Sequence, residues 1–257
     1  MMQITPEQYE KIAPCLPKQR GNVSLSNLQV LNAILYVAEH GCKWRGLPSH
    51  YGNWHTIYTR MNRWAKRGVL ARVFEQIQRL RIARIKLEAV SLDSTCVKVH
   101  PDGTGALKKN GSQAIGQSRS GRTTKIHLVA ADARTPLTFS LSPGQASDDP
   151  EGRKLLKAWG HRRPPQIRYM LMDRAYEGNV MRQMVVDLGM EPIVHPKRNR
   201  MYPWEYDRKM YKKRNEVERL FRRLKGFRRI FSRFEKLDVM FVGFICFALA
   251  VDILRLC

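Results

Sequence analysis

Ala89-Val90-Ser91-Leu92-Asp93-Ser94-Thr95-Cys96-Val97-Lys98-Val99 sets an acidic residue inside an apolar, β-prone run. The segment reads as a strand that begins at Ala89 and runs toward Val99. A carboxylate there is expensive to bury unless something compensates. A turn or capping acid explains Asp93 less well, because Ser94-Thr95 continues into Val97 and Val99. Downstream, 124–131 and 136–142 read as two more strands. Ala133-Arg134-Thr135 joins them, a connection short enough for an antiparallel hairpin. A helix is predicted over 149–159, then a fourth strand over 167–172 that ends at Asp173. A helix over 178–188 leads to a fifth strand near 192–195, a long basic helix over 206–225 and a last helix over 237–256.

Upstream, residues 1 to about 87 read as helical. Ser26-Asn27-Leu28-Gln29 has the form of a capping box, and Val30, Leu31, Ile34, Leu35 and Val37 follow at helical spacing. A second helix starts at Asn53, with Trp54, Ile57, Tyr58, Met61 and Trp64 on one stripe and Gly68 as its stop. Arg60, Arg63, Lys66 and Arg67 fall mostly off that stripe. A third helix is predicted over 69–87, with Val73, Phe74, Ile77 and Leu80 inward. Short helices with one basic face suit a helix-turn-helix-like DNA-binding module, and equally a helical cap on the main domain. Residues 101–122, rich in Gly, Ser and Lys, read as a loop. Lys108, Lys109, Arg119 and Arg122 would let that loop order on DNA.

Composition narrows the function classes. The chain has 257 residues, 46 Lys and Arg against 22 Asp and Glu, and a net charge of +24. Such an excess concentrates polyanions and drives counterion release on a phosphate backbone, so nucleic acid is the expected partner. No basic amphipathic anchor favours an anionic membrane. The five cysteines, at 15, 42, 96, 246 and 257, show no C-x-x-C spacing, which argues against a disulfide framework or zinc knuckle and fits a reducing compartment. The N-terminal residues lack an apolar signal core, so a cytoplasmic, nucleoid-associated protein is expected. The apolar run of thirteen residues over 239–251 is too short to span a bilayer and reads as a buried core helix.

The acids carry the chemical signal. Phosphodiester cleavage needs the attacking and leaving oxygens stabilised around an anionic phosphorus, and two divalent ions held by two or three carboxylates can do this. Hard cations such as Mg2+ want oxygen ligands. Asp93 and Asp173 both end or interrupt apolar runs, although Asp173 also reads as a helix N-cap. For the third acid, Glu216 and Glu218 compete, since at about 100° per residue they point about 200° apart. Tyr211, Arg214, Glu218 and Lys225 share one helical face, with Glu216 on the other side as a surface-pairing residue. Arg214 and Glu218 also have the i,i+4 spacing of ordinary helix pairing, and spacing alone leaves that reading open.

Tyr211-x-x-Arg214-x-x-x-Glu218-x-x-x-x-x-x-Lys225 matches the Y-x2-R-x3-E-x6-K signature of the DDE (Asp-Asp-Glu) transposases of bacterial insertion sequences, in the family-four and family-five groups. Asp93-Ser94-Thr95, Gly121-Arg122-Thr123-Thr124-Lys125-Ile126-His127, Asp173-Arg174-Ala175-Tyr176 and Gly226-Phe227-Arg228-Arg229-Ile230 resemble the family-five group in particular. So do Lys43-Trp44-Arg45-Gly46-Leu47-Pro48 and Trp54 in the leading segment. The resemblance covers nearly the whole chain. The element order, three antiparallel strands and then alternating helices and strands, is that of the ribonuclease-H-like fold, a mixed-sheet α/β class. The resemblance implies that residues 88–257 form such a catalytic domain, behind a helical DNA-binding domain at 1–87. It further implies that Asp93, Asp173 and Glu218 are catalytic ligands for Mg2+, with Mn2+ as a substitute. Tyr211, Arg214 and Lys225 would contact DNA near the cut, and a homodimer would hold paired transposon ends.

Over 197–236, 16 of 40 residues are Lys or Arg against five acids, a concentration around Glu218 that suits a DNA-end channel better than solubility alone. Expected DNA contacts, beyond those of the signature, are Arg222, Arg228 and Arg229 in this track, Arg122 and Lys125 beside the loop, and Arg60 and Arg63 in the leading helices. His127 and His195 read as satisfied core histidines. The functional expectation is a transposase that hydrolyses a phosphodiester at each terminal inverted repeat and then joins the freed 3′-hydroxyl to target DNA. A repressor or architectural factor that binds without cutting, and a nuclease that cuts without joining, are the alternatives.

Overall fold

The computed structural model describes residues 3–21, 23–106 and 111–256. The chain groups into two units, one of residues 84–98 and 114–222, the other of 1–83, 99–113 and 223–257.

The first unit is built on a mixed sheet. Strand β1 (Ala89–Val99) pairs antiparallel with β3 (Gly121–Asp132), which pairs in turn with β4 (Thr135–Pro143) and with the short β2 (Gly116–Ser118). On its other side β1 pairs parallel with β5 (Tyr169–Met172), and β5 parallel with β6 (Glu191–Val194). The path is therefore β2-β3-β1-β5-β6, with β4 also on β3, which is the ribonuclease-H-like arrangement expected. The β3–β4 hairpin forms because Asp132 folds its carboxylate over the turn: Oδ1 accepts from Arg134 N at 2.7 Å and Oδ2 from the Thr135 hydroxyl at 3.0 Å. Met170, Leu171, Met172, Ile193 and Val194 are all buried, as parallel strands covered on both faces require. Helix α5 (Asp148–Gly160) opens on Asp148, Asp149 and Glu151, acids that suit the positive end of a helix, and buries Leu155, Leu156 and Trp159. Helix α6 (Asn179–Asp187) buries Met181 and Val185.

The single basic helix expected over 206–225 is two helices. Asp207 caps α7 (Arg208–Lys212) by accepting from Lys209 N at 2.8 Å and Met210 N at 2.9 Å. The chain then tightens into i→i+3 bonds, Glu216 N to Lys213 O and Val217 N to Arg214 O, before α8 (Asn215–Lys225) begins. Lys212-Lys213-Arg214 gains nothing from neighbouring like charges, and Asn215 is a weak helix former. Within α8, Val217, Leu220, Phe221 and Leu224 form the buried stripe.

The second unit is helical. It contains α1 (Pro6–Glu10), α2 (Asn27–His40), α3 (Trp54–Lys66), α4 (Val69–Ile82), α9 (Arg228–Phe231), the short β7 (Ser232–Arg233) and α10 (Asp238–Leu254). The predicted capping box is present: Ser26 Oγ accepts from Gln29 N at 3.2 Å while Gln29 Oε1 accepts from Ser26 N at 2.8 Å. Gly41 ends α2 at φ 68°, and a Cβ there would stand 2.8 Å from Arg228 Cβ. Asn53 caps α3 as its position predicts. The apolar run at 239–251 is the buried centre of α10, with Phe241, Phe244 and Phe247 sealed, and α10 packs on α3 and α4. No helix of the described residues is long and apolar enough to cross a membrane.

Three expectations change. Helix α4 stops at Ile82 rather than near 87, and Leu80, on the face of Val73 and Ile77 but near the end of the helix, is 36% exposed. Trp54 and Tyr58 are half-buried while Ile57, Met61 and Trp64 are buried, so the aromatic stripe is core on one edge only. The segment 101–122 is not wholly loop, because Gly116–Ser118 pairs with the start of β3. Lys108 and Lys109 lie outside the described residues.

Candidate active site

The sheet register brings the first two acids together. In the parallel β1–β5 pairing Leu92 lies opposite Met172, the last matched pair, so Asp93 and Asp173 each follow directly after it, and the charge of Asp173 is felt at Asp93. Side chains at matched positions of neighbouring strands project to the same face. Asp173 occupies the cap position of the turn Arg174–Tyr176, yet its side chain makes no capping bond there. Reading it as a helix cap therefore does not account for it.

Arg214 ties the third acid to this pair. Its Nη1 donates to Asp93 Oδ2 at 2.9 Å and its Nη2 to Glu218 Oε1 at 2.7 Å. A single guanidinium fork thus spans both carboxylates. Asp93 Oδ1 accepts from Ser94 N at 2.7 Å. Burial pushes the Asp93 carboxyl up to about 6, with the charges of Asp173 and Glu218 adding to the rise and the Ser94 N–H and Arg214 opposing it. That rise reports first the burial of the carboxyl, and only secondarily the acids beside it.

Glu216 takes the surface role. Its Oε1 accepts from Arg219 at 2.6 Å and its Oε2 from Ala133 N at 3.3 Å. Tyr211 lies under the Arg214 guanidinium, 5.8 Å from its ring centre, and meets Tyr206 edge-on at 5.4 Å. Tyr206 in turn lies 5.3 Å from the His195 ring. Burial raises the Tyr211 phenol above its ordinary range. His127 is fully buried, as expected of a core histidine, but only half satisfied: its Nε2 lies 2.8 Å from Ser142 Oγ while its Nδ1 finds no hydrogen-bond partner among the described residues; burial lowers its pKa. His195 is half-buried.

A bracing cluster escaped the sequence reading. Asp148 Oδ1 accepts from Ser94 Oγ at 2.8 Å and from Lys125 Nζ at 2.9 Å. Lys125 also donates to Ala146 O at 2.8 Å. Three side chains from β1, β3 and the start of α5 thus fix the strand position next to Asp93, and no spacing in the sequence links 94, 125 and 148.

The expected DNA contacts divide by exposure. Arg63, Arg122, Arg222 and Arg228 are exposed; Tyr211, Arg214 and Lys225 are half-buried. Three departures have physical causes. Arg229 is 4% exposed: it pairs with buried Glu235, Nε to Oε1 at 3.3 Å, and lies over the rings of Phe234 and Phe244, so it is held inside its unit. Lys125 is committed to Asp148. Arg60 donates to Leu25 O at 2.9 Å.

The donor set fits hard divalent cations, being three carboxylates, two of which already share a cation in the form of a guanidinium. Among the described residues no group of three or more His, Cys, Asp and Glu side chains stands close enough to hold an ion.

A family model described as "Transposase DDE domain" matches residues 85–252, and one described as "Putative transposase of IS4/5 family" matches residues 4–74. The "Putative transposase for insertion sequence element IS6501" of Brucella ovis is 32% identical over 139 residues, covering 52% of this chain and 99% of that protein. Among solved structures, the Mos1 transposase paired-end complex with left transposon end aligns with a TM-score of 0.28 at 13% identity, over 68% of this chain and 61% of that one. The Mos1 mariner paired end complex with Mn gives 0.32 at 11% identity, over 90% and 74%. The match across residues 85–252 and the full-length alignment with the insertion-sequence relative decide the matter: the chain belongs to the DDE-domain transposases, of the IS4/5 type.

Proposed function

We propose that Asp93, Asp173 and Glu218 are the ligands with which this DDE transposase holds divalent ions, Mg2+ in the cell and Mn2+ as a substitute, while it cuts transposon ends and transfers the freed strand to target DNA. Bound there, such ions supply Lewis-acid stabilisation for the attacking and leaving oxygens. The observation that carries the reading is the meeting of Asp93 and Glu218 across Arg214, with Asp173 just past the end of β5 and its charge felt at Asp93.

The protein's own groups do the rest. Asp93 Oδ1 accepts from the Ser94 N–H, and the Asp148 brace holds the neighbouring Ser94 side chain. Arg214 and Tyr211 stand beside the acids, where a guanidinium and a phenol can meet phosphate oxygens. Exposed Arg222, Arg228, Arg122 and Arg63 bind backbone phosphates, which sets affinity and register rather than sequence. Residues 1–87 act as the DNA-binding domain, with a helix-turn-helix-like use of α2 to α4, and 88–257 as the catalytic domain. Two copies act on paired terminal inverted repeats.

Duplexes carrying the element's own ends test the assignment. Asp93→Asn, Asp173→Asn and Glu218→Gln should each lower cleavage in Mg2+ by roughly a thousandfold or more while binding those ends with near-normal affinity. Cleavage by any of the three at the wild-type rate would remove that residue from the ligand set.

A further inference from the structure

We infer that Arg214 is an internal counter-cation, seated between Asp93 and Glu218 in the metal-free protein, and that it must release Asp93 before divalent ions bind. The inference rests on the assignment of Asp93 and Glu218 as metal ligands. Ordinary helix pairing would involve Glu218 at i+4 alone. Arg214 instead spends its two Nη groups on two acids from different elements, β1 and α8.

The grip is also incomplete. Arg214 Nε is buried and finds no hydrogen-bond partner among the described residues, so the guanidinium is held at its fork and not along its edge. A polar group left so pays the cost of lost hydration, and moving to a better-satisfied seat recovers it. The Tyr211 ring already lies 5.8 Å from the guanidinium carbon and leaves Nε without a hydrogen bond, so a phosphate oxygen is the seat that would satisfy it. The two acids differ in access as well: the Glu218 side chain is 43% exposed and that of Asp93 16%. Release from Asp93 therefore leaves a buried uncompensated carboxylate, which is costly until another cation replaces the lost one. A divalent ion offsets that cost, and a monovalent fork on Asp93 and Glu218 competes with it for the same oxygens.

Arg214 then couples two events. Freed from Asp93, it is available to a DNA phosphate, and a phosphate that draws it away lowers the barrier to metal. By linkage, DNA ends should tighten metal binding, and metal should tighten binding of ends, by the same factor.

Binding of Mn2+ to the DNA-free protein, read from the electron paramagnetic resonance of free Mn2+, tests this without any turnover. Arg214→Gln should bind Mn2+ on the order of tenfold more tightly than the wild type. Equal or weaker binding overturns the inference, because a residue that merely orients the ligands must weaken the site when removed. Thermal melting supplies the second readout. In chelator Arg214→Gln should melt below the wild type, and Mn2+ should raise its melting temperature by more than it raises that of the wild type. An equal or smaller rise, or a variant that folds in neither condition, makes Arg214 a structural clamp and sinks the idea. Asp93→Asn separates the inference from its premise. It should lose Mn2+ binding, and if it binds Mn2+ like the wild type the ligand assignment itself has failed, whatever Arg214→Gln does.

Discussion

Glu216 and Glu218 sit two positions apart on one helix and have different surroundings. Glu218 shares a guanidinium with Asp93, whereas Glu216 meets Arg219 and the Ala133 N–H. Glu216→Gln keeps a side chain that can still accept from Ala133 N and loses only one partly exposed ion pair. It should retain cleavage within about threefold and stability within about 1 kcal/mol of the wild type, as single-turnover assays and urea melts can check. A Glu216→Gln protein as inactive as Glu218→Gln would move the catalytic role between them. At this scale the sequence was informative where chemistry repeats locally: an acid inside an apolar strand, a second at the end of another, and a third at a signature spacing. It could not show that Arg214 reaches Asp93 as well as Glu218, because that bond depends on how β1 and α8 meet in space. For the same reason the burial of Arg229 was hidden within a run of cations, where only its pairing with Glu235 distinguishes it.

Helices and strands were legible where a cap or a stripe marks them. Ser26 with Gln29, Asn53 and the Asp132 turn each appear as expected, since these side chains bind backbone groups a few residues away and need no distant partner. The limits of α4 and the split between α7 and α8 were not legible. Helical periodicity continues through both places, and tight i→i+3 bonds at Lys213 and Arg214 override it. One element end is unusually constrained. Gly41 stops α2 in the left-handed region, and an added Cβ would meet Arg228 Cβ at 2.8 Å. Gly41→Ala should therefore destabilise the protein by about 2 kcal/mol, from backbone strain and displacement of Arg228 together. Guanidinium unfolding should register this as a lowered midpoint with an unchanged slope; an unchanged midpoint would mean that α2 ends in another way.

Across the molecule, charge and burial answer different questions. A net charge of +24 predicts DNA affinity, yet not every cation contributes, because Arg229, Lys125 and Arg60 are committed internally. The exposed pair Arg222 and Arg228 supplies the prediction: replacing both by Gln should lower the slope of log affinity against log salt by about two, with little change in preference between end and non-end DNA. An unchanged slope would take both out of the interface. The central claim is that three carboxylates hold ions on the phosphate that is cut. A single sulfur in place of a non-bridging oxygen at that phosphate tests it most directly, because sulfur binds Mg2+ poorly and softer ions better. Cleavage of the modified end should fall sharply in Mg2+ and recover in Mn2+ or Cd2+ for the wild type, with no recovery for Asp93→Asn. Equal cleavage of the oxygen and sulfur ends in Mg2+, or cleavage that persists in chelator, would contradict it.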